Sequence, residues 1–265
     1  MKNIVQITTL IGFLSLSTIS YSFQTSSFDT LQPSTSTSFS QSKKKLMKLY
    51  LNAGQTQTLY CGCSFNKAKD IDHLSCGYVP RKQTNKRSRR LEWEHVMPAH
   101  AFGKNLQCWQ KKLCTKRNGK TYKGRKCCSR ISDKFKMMQA DMHNLFPSIG
   151  EVNGDRSNHP FGDIPDEPRV YGQCDFELRK NLGRKGKIAE PTEAIRGDIA
   201  RAYFYMSSQY DVLIPGEYKE ILSQWNLSDP PDDWEIERND LIEAVQGNRN
   251  RFVDEVGLID NIEDF

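Results

Sequence analysis

The sequence predicts an α+β fold, and three features of the 265-residue chain lead to that prediction. Residues 91–96 form a short strand-like segment, and Pro98, which cannot continue a hydrogen-bonded ladder, follows it closely. Residues 192–210 place apolar side chains along one stripe of a helix. Hydrophobic residues make up 37% of the chain, which is enough for a real core, and eight cysteines suggest loops tied by disulfides.

The N-terminus has the features of a secretory signal. Residues 1–22 begin with Met-Lys-Asn, continue through a largely apolar stretch and end in small residues suited to a signal peptidase. This stretch is too short for a stable membrane span, although an uncleaved anchor is the alternative. We therefore expect a periplasmic or secreted protein with no membrane association after signal cleavage. Residues 23–41, rich in Ser and Thr, are expected to be a linker, and residues 42–265 the folded domain.

The first elements of the domain follow from short local patterns. Ser42 is expected to cap a helix that carries Leu46, Leu49 and Tyr50 on one side. Residues 57–63 are expected to form a short strand. The strand at 91–96 matters most, because successive side chains on a strand point to opposite faces. Glu94 and His95 can therefore serve one site only at a strand end or bend.

Positive charge is concentrated in the middle of the chain. The net charge is +6, with six basic residues in 81–90 and eight in 111–126, where there is no acidic residue. From residue 229 to the C-terminus the balance reverses, with twelve acids against three bases. This layout is typical of a protein that binds a polyanion, while solvated charged loops are the alternative for each run alone.

The cysteines are even in number, which in an exported protein favours disulfides over a zinc site, since no pair has CxxC spacing. Residues 111–124 are predicted to be a long surface loop that turns at Asn118-Gly119.

The second half of the chain predicts helices. Ser148 and Glu151 have the spacing of a capping box that would start a helix with Asn153 in its first turns. Asn144, nine positions earlier, could not share that helix face and is placed in the loop before it. Residues 192–210 and 240–252 predict two further helices without catalytic roles.

Two segments combine residues suited to binding a metal ion and activating a water molecule. Glu94 stands beside His95 in the first, and Asn144 and Asn153 lie in the second. Carboxylate and amide oxygens are hard ligands suited to Mg²⁺, and an imidazole near the ion could take a proton from attacking water. His95 alone would more often be a core histidine, and Asn153 alone a helix-start residue.

The chain resembles the endonuclease I family of secreted bacterial nucleases, which is built on a ββα-metal (His-Me finger) core. The matching motifs lie in order over about residues 37–253. They are Glu92-Trp93-Glu94-His95-Val96, Asp141-Met142-His143-Asn144-Leu145, Gly150-Glu151-Val152-Asn153-Gly154-Asp155-Arg156, Tyr60-Cys61-Gly62-Cys63 and Val245-Gln246-Gly247-Asn248, among others. The resemblance implies a single domain with that core, surrounded by helices and disulfide-tied loops.

The resemblance also implies roles for five residues. Glu94 and Asn153 would bind one Mg²⁺, for which Ca²⁺ or Mn²⁺ could substitute, and His95 would be the general base. Arg125, in Gly124-Arg125-Lys126-Cys127, would stabilise the transition state, with a plain phosphate contact as the alternative. Asn144 would hold the His95 loop by hydrogen bonds.

Two departures from the family pattern stand out. Gln139 occupies a position where family members often have Glu, so the metal preference or pH optimum could differ. The basic segment 111–126 is an insertion, and a disulfide between Cys114 and Cys127 would close it at its base.

The expected function is that of a secreted, monomeric, metal-dependent endonuclease with little sequence specificity. It would hydrolyse double- and single-stranded DNA, and RNA as well, to 5′-phosphate ends. The alternative is a secreted nucleic-acid-binding protein without catalysis. Such a protein would need the basic runs but not Glu94, His95 and Asn153 together.

Overall fold

A computed structural model describes residues 38–165, 168–180 and 186–261. The expected signal peptide, and the linker up to residue 37, lie outside the described residues. The helices are α1 (Phe39–Asn52), α2 (Ala99–Gly103), α3 (Gln107–Gln110), α4 (Arg125–Ile131), α5 (Asp133–Ala140), α6 (Gly150–Arg156), α7 (Arg196–Tyr210), α8 (Gly216–Ser228), α9 (Asp233–Gln246) and α10 (Arg251–Asp254). The strands are β1 (Leu91–His95), β2 (Cys114–Thr115), β3 (Thr121–Tyr122), β4 (Leu145–Ile149), β5 (Phe176–Lys180) and β6 (Lys187–Pro191). The mixture of helices and small sheets confirms the α+β prediction.

Strands β1 and β4 form an antiparallel pair that runs from Leu91 opposite Ile149 to His95 opposite Leu145. Helix α6 follows β4 directly, so a strand, a second strand and a helix come together although about fifty residues separate the strands. Strand β4 was not expected, and it replaces part of the predicted loop. All five of its residues are buried, so it lacks polar alternation. Pro147 is tolerated there because, among the described strands, β4 pairs only with β1.

Helix α1 begins at Phe39, so the prediction that Ser42 caps it was wrong. Ser38 is the cap: its hydroxyl accepts from the Gln41 amide while the Gln41 side chain accepts from the Ser38 amide. These reciprocal bonds between Ser38 and Gln41 form a capping box, which stabilises the start of the helix. The helix therefore includes residues that the sequence assigned to the linker, and Phe39 becomes part of the folded structure.

Two other local predictions were also wrong. Residues 57–63 form turns rather than a strand, because the amides of Thr58 and Gly62 bond within the segment. The capping box predicted for Ser148 is absent, since α6 starts from Ile149 without a side-chain cap. Glu151 instead accepts hydrogen bonds from Tyr78 and from the backbone of the 81–82 loop, and thereby holds that loop against α6.

The predicted helix at 192–210 is present as α7, after a short 3-10 turn. It is the central helix, because every residue from Ile199 to Ser207 is buried, which is typical of a helix packed on all sides. The predicted helix at 240–252 was misplaced. Asp232 caps α9 from Asp233 onward, and Gly247, at φ 92°, ends it before α10.

All eight cysteines lie in disulfides, which confirms the disulfide prediction and excludes zinc ligation by them. The pairs are Cys61–Cys174, Cys63–Cys76, Cys108–Cys128 and the predicted Cys114–Cys127. Within the predicted loop 111–124, β2 and β3 form a small hairpin that turns at Asn118-Gly119 as expected. Among the described residues, no helix is both long enough and apolar enough to cross a membrane.

Candidate active site

A cleft of about 550 Å³ opens where β1, α6, the start of α1 and the start of α4 meet. Four of the five predicted site residues line it: Glu94, His95, Arg125 and Asn153. Asn144 does not line it and lies behind His95. The other lining side chains with polar or aromatic character are Phe39, Lys43, Lys69, Arg87, Arg90, Glu92, Trp93 and Ser157. The structure therefore brings together residues from positions 39 to 157.

His95 is the last residue of β1, which satisfies the condition that it and Glu94 can share a site only near a strand end. Its Nε2 lies 2.9 Å from the Gln139 carbonyl, a partner that can only accept, so Nε2 carries the proton. The other nitrogen, Nδ1, is then left as a base. Burial and the charge of Arg125 lower the pKa of His95 to about 3, which keeps the imidazole neutral at physiological pH.

Phe39 was placed in the linker by sequence, yet its ring packs against His95. The two ring centroids are 5.0 Å apart. The same ring lies 4.5 Å from Lys43 Nζ and 5.9 Å from the guanidinium carbon of Arg125. Cations over an aromatic face are attracted to it, so Phe39 positions a base and two cations around one cleft. Its only sequence signal was the capping box that starts α1.

Glu94 is buried, and one of its oxygens accepts two hydrogen bonds. Oε1 receives the Tyr60 hydroxyl at 2.9 Å and Arg156 at 2.8 Å. Oε2 has no hydrogen-bond partner among the described residues, so it is left for a ligand in the cleft. Burial raises the pKa of Glu94 to about 7, while the charge of Arg156 acts in the opposite direction.

Arg156 was quoted within a motif but given no role by the sequence. It is fully buried and donates to Glu94, to the carbonyls of His95 and Val96, and to the Tyr203 hydroxyl. Its guanidinium carbon also lies 4.2 Å from the Phe161 ring centroid. Arg156 therefore fixes both the Glu94 carboxylate and the backbone at the end of β1. The available signal was its position three residues after Asn153, which puts both on one side of α6.

Asn153 reaches the cleft from the middle of α6. Its Nδ2 donates to Glu92 Oε2 at 3.3 Å, and this orientation leaves Oδ1 as a free acceptor. Glu92 is held in turn by Arg87 at 2.6 Å and by Arg90 at 2.6 Å. These two arginines lower the pKa of Glu92 against the opposing effect of its burial.

A divalent metal fits these donors. Glu94 Oε2 and Asn153 Oδ1 are hard oxygen atoms that line one cleft and have no competing hydrogen bonds among the described residues. Two protein ligands suit Mg²⁺, which usually retains several waters. In the described ranges, no three His, Cys, Asp or Glu side chains group into a larger metal site. The donor set therefore suits an oxygen-coordinated ion more than zinc.

Three cations in the cleft have no carboxylate partner among the described residues: Lys43, Lys69 and Arg125. Arg125 is the first residue of α4, and disulfides at Cys127 and Cys128 fix that helix. Unpaired cations beside a carboxylate and a neutral imidazole can hold a phosphate next to a base.

Asn144 contacts the backbone that follows His95. Its Oδ1 accepts from the Met97 amide at 2.7 Å, and its Nδ2 donates to the Met97 carbonyl at 3.0 Å. Gln139 contributes its backbone carbonyl to His95, while its side chain accepts from Ser129 at 3.0 Å. The Gln139 side chain does not line the cleft, so its contact with His95 does not depend on whether the residue is Gln or Glu.

The C-terminal segment around Gln246 packs behind this site. Gln246 donates to Asp141 Oδ1 at 2.9 Å and accepts from the Met142 amide at 2.8 Å. Asp141 Oδ2 accepts from the hydroxyls of Tyr205 and Tyr210. This buried network anchors the turn that carries Asn144, so the C-terminal helices support the cleft from a distance.

Comparison with known proteins gives consistent matches. The endonuclease I family matches residues 8–256. The chain is 41% identical over 227 residues to a periplasmic deoxyribonuclease of Aeromonas hydrophila, covering 84% of this chain and 88% of the relative. It is 44% identical over 223 residues to an extracellular deoxyribonuclease of the same organism, covering 82% and 87%. A more distant relative, an extracellular ribonuclease of Bacillus subtilis, is 31% identical over 140 residues, covering 46% of each chain.

Proposed function

Because the chain belongs to the endonuclease I family, we propose that it is an exported endonuclease whose cleft hydrolyses phosphodiester bonds with a bound divalent metal. This membership confirms the resemblance drawn from the sequence motifs. The observation that carries the proposal is the convergence of His95, Glu94, Asn153 and Arg125 on one cleft. We infer further that β1, β4 and α6 are the two strands and the helix of a ββα-metal core.

His95 is the general base in this proposal. Its Nε2 is committed to the Gln139 carbonyl, so Nδ1 takes the proton from the attacking water. Phe39 and the Gln139 carbonyl restrict the ring, and the low pKa of His95 keeps it unprotonated before the reaction. Water attacks phosphorus in line, the bond from phosphorus to O3′ breaks, and O3′ takes up a proton from solvent water, so the products are a 5′-phosphate and a 3′-hydroxyl.

Glu94 and Asn153 would hold the divalent ion, through Oε2 and Oδ1. When bound, such an ion polarises the phosphate and stabilises the leaving oxygen. Mg²⁺ suits the donors, and Ca²⁺ or Mn²⁺ could substitute. Arg156 and Tyr60 keep the Glu94 carboxylate in place, and Asn144 holds the Met97 backbone behind His95. Arg125 supplies positive charge to the phosphorane, beside Lys43 and Lys69.

The substrate is proposed to be double- or single-stranded DNA, and RNA as well. Cations that contact phosphates position a strand without reading its bases, so little sequence specificity is expected. The names of the relatives, two deoxyribonucleases and a ribonuclease, support both substrate classes. The names periplasmic and extracellular place the protein outside the cytoplasm, and we propose that it acts as a monomer.

A non-catalytic nucleic-acid-binding protein is the competing function. It would keep the basic residues but would have no use for a neutral imidazole, a free carboxylate oxygen and a free amide oxygen in one cleft. Digestion of supercoiled plasmid with Mg²⁺ and with excess chelator separates the two. We expect nicking that chelator abolishes and metal restores, with products that a ligase can seal without a kinase. Binding without nicking in Mg²⁺, Mn²⁺ and Ca²⁺ would contradict the enzyme.

A further inference from the structure

The segment 111–126 is organised as a hairpin with a cationic surface, which we call the basic hairpin. Strands β2 and β3 pair as Cys114 with Tyr122 and Thr115 with Thr121, and the backbones of Lys116 and Lys120 bond across the turn at 3.0 Å. Apart from Arg125, and from Lys123, which bonds to the Gln110 carbonyl, six of its cationic residues are exposed: Lys111, Lys112, Lys116, Arg117, Lys120 and Lys126. None of these six forms an ion pair with a carboxylate in the part of the chain that the structure describes.

The basic hairpin accounts for the positive charge of the whole protein. It holds eight cationic residues and no acidic one, while the complete chain has a net charge of only +6. The remaining residues therefore carry a net charge of −2. A surface that is charged so differently from the rest of the molecule favours a specific polyanionic partner over general solubility.

The base of the basic hairpin is fixed to the protein. Cys114 is bonded to Cys127, and Cys108 to Cys128. Lys123 Nζ donates to the Gln110 carbonyl at 3.1 Å, and Arg130 donates to the Thr115 carbonyl at 3.3 Å. The charges are therefore presented in a defined direction, which lowers the entropy lost when a strand binds.

The hairpin also leads directly into the cleft. Strand β3 continues through Gly124, whose φ of 83° permits the change of direction, into Arg125 at the start of α4. Gly119, in the turn, lies six residues before Arg125, which at about 3.3 Å per residue is at most roughly 20 Å away. Since a duplex rises about 3.4 Å per nucleotide of one strand, this reach corresponds to about six nucleotides.

We propose that the basic hairpin binds the phosphates of the substrate strand up to about six nucleotides from the bond that is cut. This inference rests on the proposed nuclease function, because the strand is placed by Arg125 in the cleft. The residues of the basic hairpin that precede Arg125 then contribute to substrate affinity and to the preferred substrate length, and they have no part in the chemical step.

The test compares two triple variants at exposed positions near the turn. Lys116→Gln, Arg117→Gln and Lys120→Gln together remove three charges. Lys116→Arg, Arg117→Lys and Lys120→Arg keep them and provide the matched control. Both variants should contain four intact disulfides by mass spectrometry and unfold at the wild-type urea concentration. The values of kcat and KM are measured on a 30-base-pair duplex and on a four-nucleotide strand, at several salt concentrations.

We call the triple glutamine substitution the neutral variant. For the neutral variant on the duplex at low salt, we expect KM to rise at least tenfold and kcat to stay within twofold. When the logarithm of its affinity for the duplex is plotted against the logarithm of the salt concentration, the slope should be shallower by about 2.7, from roughly 0.9 for each of three phosphate contacts. The four-nucleotide strand should be cut by all three proteins with the same KM, and the control should match wild type throughout. Equal KM for the neutral variant and wild type on the duplex would overturn the proposal, as would the same loss on the short strand.

A binding measurement separates this inference from the proposed function. Fluorescence anisotropy with the labelled duplex in chelator reports affinity without cleavage. If the wild type bound but never cleaved, the nuclease function would fail, while weaker binding by the neutral variant would still support the basic hairpin. Normal cleavage with unchanged binding by the neutral variant would remove the hairpin proposal and leave the nuclease.

Discussion

Arg156→Met is the substitution with the clearest consequence for stability, because it removes the charge that compensates a buried carboxylate. The Arg156 side chain is 0% exposed and that of Glu94 is 3% exposed, with 2.8 Å between Nη1 and Oε1. Methionine replaces the aliphatic part of the arginine side chain and carries no charge. The variant therefore leaves Glu94 without its ion-pair partner, and the carbonyls of His95 and Val96 lose a donor.

Breaking a buried ion pair by removing one partner costs about 3–5 kcal/mol. A whole protein is stable by only about 5–15 kcal/mol, so this loss is a large part of the total. Arg156→Lys keeps the charge, but an ammonium group cannot make the same fork of hydrogen bonds, so we expect a smaller loss of about 1–3 kcal/mol. Adding Glu94→Gln to Arg156→Met should recover part of the loss, because the unpaired carboxylate is then gone.

The assay is urea unfolding of the disulfide-intact proteins, followed by tryptophan fluorescence in chelator so that metal binding does not contribute. The wild type, Arg156→Met, Glu94→Gln and the double variant form a cycle that isolates the coupling between Arg156 and Glu94. A wild-type midpoint for Arg156→Met, with an unchanged dependence on urea concentration, would refute the reasoning. So would a double variant whose loss equals the sum of the two single losses.

Three further predictions concern the surroundings of the cleft. Phe39→Leu should reduce kcat for DNA by about 2- to 30-fold, since a cation–aromatic contact contributes about 0.5–2 kcal/mol and the ring also restricts His95; an unchanged kcat would contradict this. Cys114→Ser with Cys127→Ser should lower the free energy of unfolding by about 2–3 kcal/mol, because that disulfide closes a separation of 13 residues; the urea midpoint measures it. Complete reduction should abolish nicking because α4, which carries Arg125, is held by two disulfides; alkylation and mass spectrometry count the thiols, and full activity with eight alkylated cysteines would sink the idea.

The placement of Glu94 and His95 at one cleft was predictable from local patterns, whereas the roles of the candidate site residues came from the family resemblance and stay predictions. Pro98 indicated where β1 ends, and that end places Glu94 and His95 at one cleft. Gly119 indicated the turn of the basic hairpin, and an even number of cysteines in an exported chain indicated disulfides. In each case the prediction depends on residues that are close in the sequence, or on the oxidising environment outside the cytoplasm, which favours disulfides.

The unpredicted parts depend on contacts between distant residues. Strand β4 is buried along both faces and contains Pro147, so neither polar alternation nor propensity indicates a strand. Arg156 bonds to groups about sixty positions away. Glu151 bonds to a loop about seventy positions away, so it holds that loop and does not form the predicted capping box. Phe39 was assigned to a polar linker because its neighbours in the sequence are Ser, Thr and Gln. Its contact with the His95 ring, 56 positions away, leaves no local pattern.

The central claim is that His95 activates water in a metal-dependent cleft, and the nicking rate of His95→Ala tests it most directly. Supercoiled plasmid is incubated in Mg²⁺ with wild type or variant, and the affinity of each for a duplex is measured separately in chelator. We expect the variant to nick about a hundred- to ten-thousandfold more slowly, the usual cost of removing a general base. Its affinity for DNA should be unchanged, because lysines and arginines elsewhere hold the phosphates. Nicking at the wild-type rate by purified His95→Ala would contradict the assignment.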